Sequence, residues 1–97
     1  MSWYKQSKVE DGNYILDPDG RLHPCHSHSI DDCLPYVADQ YNVLTENQNR
    51  YSTEYSKEIL DNGFATVTLG RGVDIKNTKP LNGAQQTTVN ALNKNRR

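Results

Sequence analysis

Two short apolar runs near the N-terminus predict a first pair of β-strands. Residues 14–16, Tyr-Ile-Leu, and residues 21–25, Arg-Leu-His-Pro-Cys, flank the tetrapeptide Asp-Pro-Asp-Gly at 17–20. This tetrapeptide predicts a type I turn, because Asp accepts backbone hydrogen bonds, Pro presets φ and Gly tolerates a positive φ. Pro24 has no N–H to donate, so the second strand of this hairpin is expected at a sheet edge or ends there.

A change to helical spacing predicts two helices in the middle of the chain. Ser29 can cap a short helix with two carboxylates in its first turn, which places Pro35 late in that helix; Asp32 as the cap is the alternative. Residues 45–48, Thr-Glu-Asn-Gln, match a capping box, and an apolar stripe at every fourth position follows them. Gly63 predicts a left-handed end for this second helix.

The last third of the chain predicts a second hairpin and a third helix. Residues 64–69 alternate in polarity and are rich in β-branched side chains, which is typical of a strand. Gly-Arg-Gly at 70–72 predicts a tight reversal into a strand at 73–75. Residues 82–93 form a polar helical segment whose Val89 and Leu92 can dock on a core.

These elements predict one α+β domain, a small antiparallel sheet of two hairpins packed with about three helices. A chain of 97 residues has the length of a single domain. We expect a polar N-terminal segment over residues 1–12, the folded domain over 13–93 and a frayed basic tail over 94–97.

Charge is distributed unevenly along the chain. Residues 1–70 carry five Lys or Arg against eleven Asp or Glu, whereas residues 71–97 carry six against one. The basic end is either solvated or folded back on the acidic body, or it meets a phosphate-bearing or acidic partner. Nucleic-acid recognition is not favoured, because the basic segment has no aromatic residue after Phe64 to stack on bases.

The compartment is predicted from what the sequence lacks. No apolar run approaches the roughly 20 residues that span a bilayer, and residues 1–6 contain no apolar signal core. We therefore expect a cytoplasmic protein without membrane contact, in which the two cysteines are reduced. A disulfide between Cys25 and Cys33 would close a short loop and is the less favoured alternative.

All histidines and cysteines of the chain fall within eleven residues, from His23 to Cys33. Zinc could be held by a set of four: His23, Cys25, His28 and Cys33. A second, separated half-site is missing, however, and so many ligands so close in sequence fold around one ion only with difficulty. A thiol nucleophile beside a histidine and an aspartate is a further possibility, but all its members would be sequence neighbours. We interpret the cluster as scaffold and expect neither a cofactor nor enzymatic activity.

A phosphate or nucleotide site is a second candidate. Arg71 lies in a Gly-Arg-Gly turn, and with Lys76, Tyr51 and Tyr55 it could hold a small nucleotide. The turn lacks the complete glycine pattern of a phosphate loop and the helix that should follow it. A hairpin turn explains the glycines better, and core packing explains the tyrosine stripe better.

The order of these motifs resembles a loose set of small uncharacterised proteins found in phages and bacterial genomes. Matching segments are residues 14–25, with the Pro-Asp-Gly turn and Pro-Cys, then His28, then residues 60–64, then residues 81–92. The resemblance spans most of residues 14–92. Phe64 stands where the set commonly has tryptophan. The resemblance implies a small α+β unit of phage-like origin and implies no activity.

The predicted function is non-catalytic binding. The resemblance implies a phage-encoded accessory protein that engages a host or phage protein, as an inhibitor of host defence. Carboxylates spread over helices can steer association with a basic cleft, and six would form the contact: Asp31, Asp32, Asp39, Glu46, Glu54 and Glu58. The alternative is a minor virion or assembly protein in which the basic tail of one copy meets the acidic body of the next. A zinc-binding or nucleotide-binding module is a further alternative.

Overall fold

The computed structural model describes residues 9–26, 29–41 and 53–95. Its elements alternate as hairpin, two helices, hairpin and helix, so the predicted α+β class is confirmed. The strands are β1 (Gly12–Leu16), β2 (Leu22–Cys25), β3 (Ala65–Leu69) and β4 (Val73–Asn77). The helices are α1 (Ile30–Asp39), α2 (Thr53–Asp61) and α3 (Gly83–Asn95).

The four strands form one antiparallel sheet in the order β2-β1-β3-β4. The two hairpins are joined through their first strands, because β1 pairs with β3 from Gly12 opposite Leu69 to Leu16 opposite Ala65. β1 and β3 are therefore the central strands, while β2 and β4 are the edges. The local pattern predicts both hairpins, whereas this pairing across the middle of the chain is a tertiary contact.

Both faces of the sheet are covered. Successive side chains of a strand point to opposite faces, and the neighbours Ile15 and Leu16 accordingly belong to different cores. Ile15 packs with side chains of α1 and α2, and Leu16 packs with β3 and with Val89 and Leu92 of α3. The molecule thus has three layers, with α1 and α2 on one side of the sheet and α3 on the other.

Local turn and cap chemistry follows the sequence closely. Gly20 N–H donates to the carbonyl of Asp17 at 3.0 Å, which closes the predicted turn. The Ser29 hydroxyl accepts from the backbone N–H of Asp31 and caps α1, so the alternative cap at Asp32 is wrong. Pro35 lies inside α1 and is buried. Gly63 adopts a φ of +96° after α2, as its predicted role requires.

The expectation of reduced cysteines is wrong in this structure. Cys25, the last residue of β2, and Cys33, in the second turn of α1, form a disulfide. Their Cα atoms lie 5.9 Å apart, inside the range of roughly 4.4–6.8 Å that a disulfide requires. The short separation does not oppose the bond, because α1 packs against β2.

Some predictions fall outside the described residues: the capping box at 45–48, Tyr51, Glu46, His28 and the last two residues of the tail. Helix α3 continues to Asn95, past its predicted end at residue 93, within the usual variation of helix ends. In the part of the chain that the structure describes, no helix combines the length and the apolar character needed to cross a bilayer.

Candidate functional site

The buried carboxylate of Asp17, in the turn of the first hairpin, accepts hydrogen bonds from the polar groups around it. Asp17 is 0% exposed. Its Oδ1 accepts from the backbone N–H groups of Asp19 and Arg21, each at 2.9 Å. Its Oδ2 accepts from Nε2 of His23 at 2.6 Å and from the hydroxyl of Tyr41, which follows α1. We call Asp17, His23 and Tyr41 the Asp17 cluster.

The hydrogen bonds of the Asp17 cluster decide its protonation. Burial by itself disfavours the Asp17 carboxylate, but the bonds from Tyr41, His23 and the backbone of Arg21 outweigh it and lower the pKa of this carboxyl. Burial and the adjacent Asp17 charge together raise the pKa of the Tyr41 phenol. Asp17 is therefore ionised and Tyr41 protonated near neutral pH, which is the state in which both bonds to Oδ2 form.

The Asp17 carboxylate has no acceptor capacity to spare. A carboxylate offers about four lone-pair sites, and two backbone and two side-chain donors occupy them. Tyr41 also lies edge-on to Phe64, with ring centroids 5.5 Å apart, which holds the phenol in the core of α1 and α2. The cluster therefore ties the end of α1 to the first hairpin, and its chemistry serves the fold.

The same turn is the docking point of α3 on the other side of the sheet. Gln85 Nε2 donates to the carbonyls of Asp17 at 3.1 Å and Gly63 at 2.7 Å. Gln85 also forms a reciprocal capping box with Asn82, its N–H donating to Asn82 Oδ1 and its Oε1 accepting from Asn82 N–H. One buried glutamine thus starts α3 and attaches it to the turn.

The structure does not bring the predicted zinc ligands together. His23 is bonded to Asp17, and Cys25 and Cys33 have no thiolate to offer while they form a disulfide. His28 lies outside the described residues. Within 9–26, 29–41 and 53–95, no group of three or more His, Cys, Asp or Glu side chains is placed to hold a metal ion.

The predicted nucleotide set is not assembled either. Tyr55 is 4% exposed and belongs to the core of α1 and α2, so its ring is not available for stacking on a base. Arg71 is exposed in the β3–β4 loop, where Gly70 N–H donates to the carbonyl of Gly72. Lys76 is exposed on β4, opposite Thr66. The loop is a hairpin connection, and Tyr51 lies outside the described residues.

The carboxylates of α1 and α2 share one layer of the molecule, which we call the acidic layer. Its described members are Asp31, Asp32, Asp39, Glu54, Glu58 and Asp61. Lys57 is the one Lys or Arg within these two helices, and α3 on the opposite side contains Lys94 and no acidic residue. Asp39 and Glu54 are exposed and the other four are half-buried. The layers on the two sides of the sheet therefore differ in charge.

The acidic residues fall into two groups according to which end of the helix they occupy. Asp31, Asp32 and Glu54 lie in first turns, where the helix dipole stabilises a negative charge. Asp39 and Asp61 are the last residues of α1 and α2, where the dipole opposes it, and neither last turn contains a basic residue. Helix stability explains the first group and does not explain the second.

Sequence reasoning missed the Asp17 cluster. It assigned Asp17 to the turn, which is correct, but it did not link this residue to Tyr41, 24 positions away. A usable signal is present, since a tyrosine after an amphipathic helix needs a partner for its hydroxyl when it is buried. The identity of that partner depends on how α1 packs against the hairpin.

Comparison of the chain with protein-family models, with curated proteins and with solved structures finds no match. Its function is therefore inferred from the charges and contacts of the described residues. The resemblance to small phage and bacterial proteins stays a prediction.

Proposed function

We propose that the chain is a non-catalytic binding protein whose acidic layer contacts a basic surface of a partner protein. One observation carries this proposal: α1 ends in Asp39 and α2 ends in Asp61, where a negative charge opposes the helix dipole. Such residues reduce helix stability slightly. The two helices together contain six acidic residues and one basic residue, Lys57, and a basic surface would recognise this excess of negative charge.

The distribution of charge supports an electrostatic mode of recognition. The six carboxylates of the acidic layer lie on one side of the sheet, where Lys57 is the one base of the two helices, whereas the exposed Arg71, Lys76, Lys79 and Lys94 all belong to the last third of the chain. A layer of one sign accelerates the encounter with an oppositely charged cleft and disfavours acidic competitors. The partner is therefore a protein with a basic groove, bound faster at low ionic strength.

The described polar clusters support a non-catalytic role. The acceptor sites of Asp17 are filled by its own turn, His23 and Tyr41, and the two cysteines are bonded to each other. The phage-encoded setting, the cytoplasmic location and the inhibition of host defence belong to the same proposal. Their support is the order of motifs along the sequence.

The experiment combines capture with a charge-matched control. The full chain is immobilised, a bacterial lysate is passed over it, and association of the retained protein is measured at several salt concentrations. The double variant Asp39→Asn/Glu54→Gln should lower the association rate constant roughly tenfold at low salt. The control Glu10→Gln/Asp11→Asn removes the same charge outside the helices and should retain most of the rate.

Stability measurements separate loss of binding from loss of folding. The melting temperature of each double variant, measured without the partner, shows whether the substitutions disturb the fold. A partner that associates equally fast with both double variants would refute the assignment of the contact to the acidic layer.

The alternative function, an assembly subunit, is favoured by the contrast between the acidic layer and the basic C-terminal part of the sequence, residues 71–97. The basic tail of one copy would meet the acidic layer of the next, and such a head-to-tail contact propagates into rings or filaments. Light scattering tests it directly. An apparent molar mass that rises with concentration and falls with added salt supports assembly. This rise should be absent in Asp39→Asn/Glu54→Gln.

A further inference from the structure

The two edges of the sheet differ in their ability to accept another strand. On β2, Pro24 has no N–H to donate, and Cys25 is tied to α1 by the disulfide. β4 contains no proline. Among residues 9–26, 29–41 and 53–95, no element pairs with its outer side. β4 therefore presents a row of backbone donors and acceptors suited to pairing with another chain.

The register of the second hairpin shows which residues of β4 present these groups. Gly70 N–H donates to the carbonyl of Gly72 at 3.1 Å, and bonded and non-bonded pairs alternate along an antiparallel ladder. Asp74 and Lys76 therefore direct their backbone groups toward β3. Val73, Ile75 and Asn77 direct theirs outward.

We propose that β4 pairs antiparallel with β4 of a second copy, about a two-fold axis at Ile75. Val73 and Asn77 of one copy then exchange hydrogen bonds with Asn77 and Val73 of the other, and Ile75 exchanges both bonds with its own counterpart. The sheets of the two copies become one continuous sheet. The occupant of this edge is a second copy of the chain because the side chains of β4 complement themselves.

Charge complementarity carries the choice of partner. In this register Asp74 of each copy lies opposite Lys76 of the other, so two identical pairs of opposite charge form. Both occupy non-bonded positions of the new ladder, where facing side chains approach most closely. Both side chains are exposed in the single chain, so they can reach across the two-fold axis.

The same charges exclude the neighbouring registers. A shift by two residues places Asp74 opposite Asp74 or Lys76 opposite Lys76, and directly opposed like charges destabilise a pair of strands. A shift by one residue places Ile75 opposite Asp74 or Lys76 of the other copy, whose backbone groups already bond to β3, so the hydrogen bonds between the copies are lost. The half-buried side chain of Ile75 becomes covered by its counterpart in the two-fold register alone.

Sedimentation equilibrium of the full chain, from micromolar to millimolar concentration, tests the proposal. The mass should double once and grow no further. Asp74→Lys and Lys76→Asp should each give a monomer, because each creates two like-charged pairs, and the combination Asp74→Lys/Lys76→Asp should restore the dimer. Asp39→Lys, on α1, should leave the dimer intact, which distinguishes it from a head-to-tail assembly through the acidic layer.

Amide hydrogen exchange provides a readout that needs no variant. The amides of Val73, Ile75 and Asn77 should exchange more slowly as concentration rises, while those of Asp74 and Lys76 should be protected at all concentrations. A chain that stays monomeric throughout, a dimer that survives the single reversals, or a charge swap that fails to restore it overturns the proposal. None of these results bears on partner binding by the acidic layer.

Discussion

The α-carbon of Gly20 faces the backbone carbonyl of Ala84 so closely that a Cβ on Gly20 would lie 2.6 Å from the carbonyl oxygen. The Thr88 hydroxyl donates to the carbonyl of Gly20 at 2.5 Å from the next turn of α3. Helix α3 thus rests directly on the backbone of the turn after β1. The absence of a side chain at Gly20 is what permits this approach.

Gly20→Ala should destabilise the protein by about 3 kcal/mol or more. It combines the cost of a left-handed φ of +85° with a clash against backbone that cannot rotate away. Gly63→Ala is the matched control, because its φ is +96° but its nearest neighbour would be Pro18 Cγ at 3.8 Å. It should cost about 1–2 kcal/mol. Urea denaturation of both variants measures the difference, and equal losses would contradict the close approach.

Gln85→Glu should destabilise the protein by about 2–4 kcal/mol, since it keeps an acceptor for Asn82 but points a carboxylate at two carbonyls. The Nε2 donor that serves Asp17 and Gly63 is lost. Gln86→Glu, one position along on the exposed side of α3, is the control and should change stability by less than about 0.5 kcal/mol. Thermal melts at neutral pH compare the two.

Asp17→Asn should cost about 3 kcal/mol, because it removes the buried charge that four hydrogen-bond donors surround and replaces one acceptor oxygen with an amide. Its effect on acid stability has a definite sign. The folded pKa of Asp17 lies below its ordinary value of 3.8, so its stabilisation is complete above about pH 4 and is lost as pH falls through the folded pKa. The variant should therefore lose less stability than the wild type below about pH 4.

Tyr41→Phe should show the complementary behaviour in alkali. The pKa of Tyr41 is raised above its ordinary value of 10.0, so its hydrogen bond stabilises the fold below about pH 10 and is lost as pH rises further. The variant keeps the ring contact with Phe64 but loses the hydroxyl, at about 1–2 kcal/mol near neutrality, and should be less sensitive to alkali. Tyr36→Phe is the control, because Tyr36 is 67% exposed. Similar profiles for both variants would count against the bond to Asp17.

Reduction of the disulfide should destabilise the oxidised chain by about 2.5 kcal/mol, the entropy of closing a short loop, and lower Tm by roughly 10 °C. The two cysteines are eight positions apart. The double variant Cys25→Ser/Cys33→Ser should have the melting temperature of the reduced protein, and this temperature should not change when reductant is added. Alkylation of both cysteines in protein purified without reductant would show that the bridge does not form.

Elements held by nearby residues could be predicted from the sequence. The Asp-Pro-Asp-Gly turn, the Ser29 cap and the left-handed Gly63 all depend on contacts within a few positions, and each is found as expected. The two faces of β3 also follow from simple alternation. Local rules are enough here because neighbouring residues determine both the conformation and its hydrogen bonds.

Contacts between distant segments could not be predicted in this way. The pairing of β1 with β3, the bond from Tyr41 to Asp17 and the bonds from Gln85 to the first turn link residues far apart in the chain. No single segment contains the information that selects these partners. The disulfide was misjudged for a related reason, since its geometry depends on the angle at which α1 leaves β2.

The bonds from α3 to the first turn have a consequence during synthesis. The first turn leaves the ribosome early, but three of its carbonyls bond to donors of the α3 region that are synthesised much later. Asn82 bonds to Pro18 across 64 positions, and Gln85 and Thr88 bond to Asp17 and Gly20, each across 68 positions. Until residues 82–88 emerge, the turn of the nascent hairpin has only its own hydrogen bonds, and water or a chaperone covers the carbonyls that later accept from these residues. A nascent chain that has not yet exposed residues 82–88 should therefore have a protease-sensitive hairpin, and the exposure of these residues should protect it.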